Sequence, residues 1–465
     1  MSDITINAQQ YRTLVAAGID VEEFLAGGEG TGPTAPAAEK GDGRNRKARK
    51  VRRIPRRWAQ IGLGVLIIGA FTIPPAFAGT GTGTYSTIGG GNGNTASATY
   101  TTVGGGNANA ATNLGATIGG GHSNLGSGVY STMGGGYDGE ASGDYSTVGG
   151  GEVNHAQGVH ATVAGGWSNY VSGASGTVAG GTANSVDGLN GTVGGGSGNF
   201  VNGVFGTIAG GGLNNDNSTA GNRVTDSYGT VGGGGNNQAG NGTTSLIDRI
   251  YATVAGGLTN TASGSYAGVA GGRSNTASGS YAMVPGGYAN TASGAFSFAA
   301  GRQARATTAG SFVWGDNTSA NISPTAVNQF IARASGGVKF FSNAAGTTGV
   351  VLPAGGGAWS NLSDRNLKAN FSDVNGTSIL MRVVSLPIQF WNYKSQDPSI
   401  RHIGPMAQDF AAAFGVGENN TTISTVDAEG VALAAIQGLY HQNRQLKRDL
   451  VRLQGEVDAL LGSAH

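Results

Sequence analysis

Ser363 and Lys368 stand five residues apart in "WSNLSDRNLKANF", residues 359 to 371. A serine hydroxyl attacks a carbonyl only when a base takes its proton. A lysine is a poor base near neutral pH, because its usual pKa is about 10.4. Burial or a cationic neighbour must favour the neutral amine, and a depression of about two units corresponds to roughly 2.7 kcal/mol. Arg365 is such a neighbour, whereas Asp364 opposes the shift if it pairs with the lysine. The same hexapeptide also reads as a helix N-cap, a serine or aspartate ahead of polar helix formers. The residues in isolation leave both readings open.

The rest of the chain offers little other chemistry. There is no cysteine, so neither a disulfide framework nor a thiolate metal site is available. The six histidines are scattered and no paired carboxylates recur. Asp216, Asp226 and Asp248 are too few to define a catalytic or metal cluster, so no cofactor and no metal are expected. Glycine is extreme at 88 of 465 residues, and charged residues make up only 11%. That composition is neither averagely globular nor disordered, and the absence of a Gly-X-Y period excludes collagen. A net charge of +1 gives no pull toward nucleic acid.

Charge is unevenly placed. "RNRKARKVRRIPRR" carries nine basic residues and no acid between Arg44 and Arg57, followed by the apolar "IGLGVLIIGAFTI" and "PPAFAGT". A basic region, an apolar core too short for a span of about 20 residues, and Ala76-Phe77-Ala78 read as an export signal cut after Ala78. The alternative is an uncut signal anchor, the only membrane contact expected. Residues 1–57 are expected to be a disordered, cytoplasmic-side basic N-region and 58–78 the signal-peptide core or signal anchor.

From Tyr85 one period governs the sequence. "YSTIGGGNGNTASAT" and "YTTVGGGNANAATNL" align, and an apolar anchor recurs at Ile88, Val103, Ile118, Met133 and on to Val284, with Ala299 a faded last copy. Most steps are fifteen residues; two are twenty-three, with "DNSTAGNR" and "GTTSLIDR" inside the insertions. Fifteen residues suit one coil of a β-solenoid, each coil stacked on the last at about 4.8 Å. Alternation turns Ser86 and Ile88 inward, Tyr85 and Thr87 outward. Asparagine six residues past the anchor (Asn94, Asn109, Asn124) suits a stacked turn. Glycine ten past it (Gly128, Gly143, Gly158) suits a tight corner that admits positive φ.

One Val or Ile per coil contributes roughly 1.5–3 kcal/mol, whereas ordering each residue costs about 1–2 kcal/mol. A thin single-chain stack is therefore marginal, and three chains wrapped together supply the missing burial. Threonine precedes the anchor in eleven successive coils, from Thr87 to Thr253. It favours strands and forms ladders or lines an interface; a flat hydroxyl array gripping a glycan or cell-surface ligand is the second reading. The insertions near 214–227 and 237–250 are further candidates for such binding.

The "TVGGG..N.ASG" pattern, over Tyr85 to Arg302, resembles the left-handed β-roll heads of trimeric bacterial adhesins and phage tail-fibre stalks, without an adhesin-type β-barrel anchor after it. The resemblance implies a homotrimer. Past Arg302 the segments "SFVWGDN", "NQFIARASGGVKFFSN" and "GVVLPAGGGAW" read as short strands in a transition segment, 303–362. From Ser363 charge and helix formers rise. "SDRNLK", "IQFWNYK" and "RHIGPMAQDF" before a terminal helix resemble the C-terminal intramolecular chaperone of phage endosialidases, tail spikes and tail fibres. That family's domain helps the upstream trimer fold and then cuts itself off. The resemblance implies a scissile bond Leu362–Ser363, Ser363 as nucleophile, Lys368 as general base and His402 as a helper, with Asp364 and Arg365 supporting. Pro405 and Met406 depart from the bulkier apolar residues frequent there.

In the last helix Ile436, Leu439, Asn443, Leu446, Leu450, Leu453, Val457 and Leu460 alternate steps of three and four, a coiled-coil seam with Asn443 at an a position fixing register. The expected protein is mainly β: a trimeric left-handed parallel solenoid of fifteen-residue coils (79–302), the transition segment, then a small α/β chaperone domain (363–465) ending in a coiled coil. It is expected to be secreted or displayed on a surface, and to be a single-turnover self-cleaving serine peptidase. The alternative is an uncleaved structural fibre or a glycan-binding adhesin.

Overall fold

The structure, a computed structural model, describes residues 79–212 and 221–463. The basic segment, the apolar run at 58–78, Asp216 and most of the first insertion lie outside the described residues.

Each coil supplies two dipeptide strands and a bridging residue, for example Thr102–Val103, Asn107 and Ala110–Ala111. Every strand pairs in parallel with its counterpart one coil on: Thr102 with Thr117, Ala110 with Leu125. The three ladders together make a parallel solenoid of about 16 turns. Register is kept across both insertions, since Thr207 pairs with Thr230 and Thr230 with Thr253. The stack does not end where the period does. Phe298, Phe312 and Phe330 pair in succession, adding two coils of irregular length past Arg302.

Three columns of side chains fill the interior. The anchors from Val103 to Val313 are fully buried, and a second column runs through Ala96, Ala111, Ala141, Ala156, Val171, Val186, Val201 and Val224. The third column, two residues before each anchor, varies in compensation. Where the second column holds Ala the third holds Ala, Ser or Thr, as at Ala116, Ser146 and Thr101. Where it holds Val the third holds Gly: a Cβ on Gly191 would lie 2.7 Å from Val186 Cγ1 and 3.0 Å from Val201 Cγ1. Interiors packed to crystal density leave room for only one of the two methyl groups.

The asparagines past the anchors stack from turn to turn, as their spacing suggests, and form a buried ladder. Asn184 Nδ2 donates to the carbonyls of Gly180 and Gly196, both at 3.0 Å, and its Oδ1 accepts from the Asn199 backbone N–H at 3.0 Å. Each amide thus clamps its own corner and ties it to the next coil. The corner glycines differ from expectation. Gly128, Gly143 and Gly158 do not adopt positive φ; a Cβ on Gly143 would overlap the Gly158 carbonyl oxygen, so the close approach of stacked backbones selects glycine there. Positive φ falls two residues later, on Tyr130, Tyr145 and His160. The outward rings in that column stack coil on coil, with Tyr266, Tyr281 and Phe296 at centroid spacings of 4.9 Å.

Beyond the solenoid, Val338–Phe341, Gly349–Leu352 and Ser360–Asn361 form an antiparallel sheet. A 3-10 turn, Arg365–Leu367, leads to α1 (Gly376–Ser385), a two-stranded hairpin (Gln389–Trp391 with His402–Gly404), α2 (Ala407–Phe414) and α3 (Thr425–Gly462). Asn375 caps α1 and Ser424 caps α3 through side-chain oxygens. α1 and α3 meet at Gly376 and Gly438, where a Cβ on Gly438 would collide with the Gly376 carbonyl. Arg382 Nη1 donates to the Ala413 carbonyl at 2.9 Å, tying α1 to the end of α2. Phe410, Phe414, Ala435 and Gly438 are the buried residues of these three helices.

Candidate active site

The antiparallel sheet delivers the chain to the site. The Leu362 N–H donates to the Gly349 carbonyl at 3.1 Å, and Asn361 Nδ2 donates to Thr425 Oγ1 at 3.4 Å, at the start of α3. The bond after Leu362 is therefore held between a sheet edge and the first turn of the long helix.

From Ser363 the backbone turns sharply. Asp364, not Ser363, caps the 3-10 turn: its Oδ1 accepts from the Asn366 N–H at 2.8 Å and from Asn366 Nδ2 at 3.1 Å. The Lys368 N–H closes the turn on the Arg365 carbonyl at 3.2 Å. This reversal brings Lys368 Nζ to 2.6 Å from Ser363 Oγ. The capping residue and the hydroxyl beside the amine are thus different residues, and the two readings of the hexapeptide describe neighbouring side chains.

Asp364 makes no ion pair with Lys368 among the described residues; its carboxylate is occupied by Asn366. Arg365 lies with its guanidinium carbon 4.8 Å from the centroid of the Phe371 ring, which holds it beside the turn by a cation–π contact. Ser363 and Lys368 are both exposed in the single chain.

His402 sits on the hairpin, paired across it with Trp391. Its Nε2 is 2.9 Å from Gln396 Oε1, and its ring lies against Trp391 and Tyr393 at 4.7 and 5.8 Å. It makes no hydrogen bond to Ser363 or Lys368 among the described residues. Phe371, Gly349 and Thr425 shape the site without having been singled out in the sequence. Arg365 followed by an aromatic six residues on was the available signal for the first; the other two act through backbone position or a cap.

Two features of the region point outward. The seam residues of α3 from Ile436 to Leu460 are exposed, Leu446 and Leu450 each at 66%. Phe390, Ile403, Met381 and Val384 are exposed as well. Among the described residues no helix is long and apolar enough to cross a membrane, and no group of three or more His, Cys, Asp or Glu is placed to hold a metal.

Residues 363–416 match the model of a known family, the chaperone of endosialidase. The match opens on Ser363, where the sheet ends and the turn begins, and runs through α2; α3 lies beyond it. No curated protein matches the chain. In this chain the segment similar to the endosialidase chaperone follows a parallel β-solenoid. It agrees with the resemblance drawn from "SDRNLK" and the "RHIGPMAQDF" block.

Proposed function

We propose that this chain is an exported, homotrimeric fibre protein whose endosialidase-type chaperone domain assembles the trimer and then severs the Leu362–Ser363 bond. The observation that carries the cleavage reading is the 2.6 Å approach of Lys368 Nζ to Ser363 Oγ, directly after that bond. In the proposed step Lys368 takes the hydroxyl proton and Ser363 Oγ attacks the Leu362 carbonyl carbon. The C–N bond breaks as the proton passes to the Ser363 nitrogen, leaving an ester between Leu362 and Ser363 Oγ. Water hydrolyses the ester to a Leu362 carboxylate and a chain that begins at Ser363.

A lysine serves as a base only after shedding its proton, which desolvation favours. In one chain the pair is open to solvent, so the packing of neighbouring copies supplies the desolvation, and cleavage follows assembly. Trimerisation is supported by the exposed apolar seam of α3, which has too little of its own domain to cover it. Identical coils invite slippage by one turn; a C-terminal clamp sets register before the rod zips up, and its removal leaves a trimer that refolds poorly. His402 enters as a residue that steadies the hairpin through Gln396 and Trp391, and Asp364 and Arg365 as residues that shape the turn.

The test is the denatured mass of the purified chain beside Ser363→Ala and Lys368→Met variants. A wild-type break before Ser363, absent in both variants, supports the reading. An intact wild type that has folded leaves an uncleaved fibre, and a Lys368→Met chain that still cuts removes the dyad.

A further inference from the structure

The second insertion is built around a buried carboxylate. Asp226 stands five residues before the anchor Val231, in the column that elsewhere holds Gly128, Gly143, Gly158, Gly173, Gly188 and Gly203. At those glycines the stacked backbone leaves no room for a Cβ. Asp226 fits because the following coil departs at Gly240 (φ 106) and loops out to Ile250 before rejoining the ladder at Thr253. The insertion encloses the side chain completely, with Asp226 at 0% exposure.

Only one of its oxygens is satisfied. Oδ2 accepts from the Asn241 N–H at 2.7 Å and from Thr225 Oγ1 at 3.2 Å. Oδ1 is buried and has no hydrogen-bond partner. The insertion places a second acid, Asp248, beside Asn241, the residue whose backbone holds Asp226 Oδ2. Asn241 spans the two, since its side-chain Nδ2 donates to Asp248 Oδ2 at 2.7 Å. Thr243 Oγ1 stands 3.4 and 3.5 Å from the Asp248 oxygens, and the Thr225 hydroxyl accepts from the Gly242 N–H at 3.0 Å. Arg249 lies beside Asp248, where its guanidinium Nη1 donates to the Asp248 backbone carbonyl. It leaves the orphan oxygen of Asp226 unanswered.

Two adjacent carboxylates, one fully buried, do not stay ionised together unless a cation or a shared proton lies between them. The remaining nearby donors are neutral oxygens, the hard ligand set that calcium accepts in flexible geometry together with water. We propose that Asp226 and Asp248 bind one calcium ion, which closes the 240–250 insertion onto the solenoid. The ion bridges Asp226 Oδ1 and the Asp248 carboxylate, with the Thr225 and Thr243 hydroxyls and water at hand to complete its shell. A loop that is stiffened only when loaded would tie the rigidity of this part of the fibre to external calcium.

Equilibrium dialysis of the EDTA-treated full chain against calcium chloride tests the proposal, with limited trypsinolysis after Arg249 as a second readout. One calcium per chain is expected, together with at least tenfold slower cleavage after Arg249 in calcium than in EDTA. Asp248→Asn, at the more accessible of the two positions, should lose both effects, as should Asp226→Asn if it folds; Asp138→Asn, on another coil, should keep them. Calcium binding that survives Asp248→Asn would overturn the assignment. So would trypsin protection that responds to pH but not to calcium, which would show that the pair shares a proton instead.

Discussion

Two buried polar residues of the solenoid should respond oppositely to alanine. Five hydrogen bonds end on the Asn184 side chain: to the carbonyls of Gly180 and Gly196, to Asn169 Oδ1, and from the backbone and side-chain nitrogens of Asn199. Removing it strands the Asn199 N–H inside the coil. A net value of about 1 kcal/mol per bond, less where a partner keeps a second bond, gives a loss of about 3–5 kcal/mol for Asn184→Ala. The Ser131 hydroxyl is equally buried but has no partner, and alanine fills the same column at Ala116 and Ala161. Ser131→Ala should therefore be neutral or stabilising by up to about 1 kcal/mol. Coils of a solenoid unfold locally, so native-state hydrogen exchange is the suitable assay. Amides of residues 180–200 should exchange roughly 10²–10⁴ times faster in Asn184→Ala, while those around Ser131 hold their rates. An unchanged rate in the first variant, or an equal acceleration in the second, would refute the view that satisfied amides, and not burial alone, hold the coils in register.

Corner glycines should separate by column. Gly143→Ala should disrupt its coil because the new Cβ overlaps the Gly158 carbonyl, whereas Gly120→Ala meets nothing within 4 Å and should melt like wild type in a circular-dichroism scan. At the end of the stack, Asp316 accepts from the N–H groups of Ser335 and Thr318 and from Arg333 Nε. The Ser335 backbone N–H foremost, then its hydroxyl, Thr318 and Arg333, hold the carboxyl well below the usual carboxylate range. A depressed carboxylate contributes above its unfolded pKa and fails only as pH falls through the folded value. Asp316→Asn should accordingly lower the melting temperature as much at pH 4.5 as at pH 7. A gap that closes by pH 4.5 would count against that network.

The solenoid was legible because its period is written in residue types. The anchor step of fifteen fixes the parallel register, and the two steps of twenty-three place both insertions. The asparagine column is legible as a stacked turn, but spacing alone does not say that each amide is buried and clamps its own coil to the next. The exchange of Val171, Val186, Val201 and Val224 against Gly176, Gly191, Gly206 and Gly229 was equally visible; aligning the two columns across coils exposes it. The two coils after Arg302 were hidden because their strands keep pairing while their connections change length. At the site, the family resemblance pairs Ser363 with Lys368 where spacing alone leaves the question open, and a turn capped by Asp364 rather than by Ser363 is a choice between adjacent oxygens that sequence does not make. The hold on Leu362 by the Gly349 carbonyl is a backbone contact and leaves no side-chain trace.

Clamping of three copies by the C-terminal domain is measured most directly by the native mass of the full-length Ser363→Ala chain. Cleavage is blocked in this variant, so the clamp remains attached. Three chains per particle are expected, falling to single chains when Leu446→Asp and Leu450→Asp place charges on the exposed seam of α3. A folded Ser363→Ala chain that runs as a monomer, or a trimer indifferent to both aspartates, would contradict it.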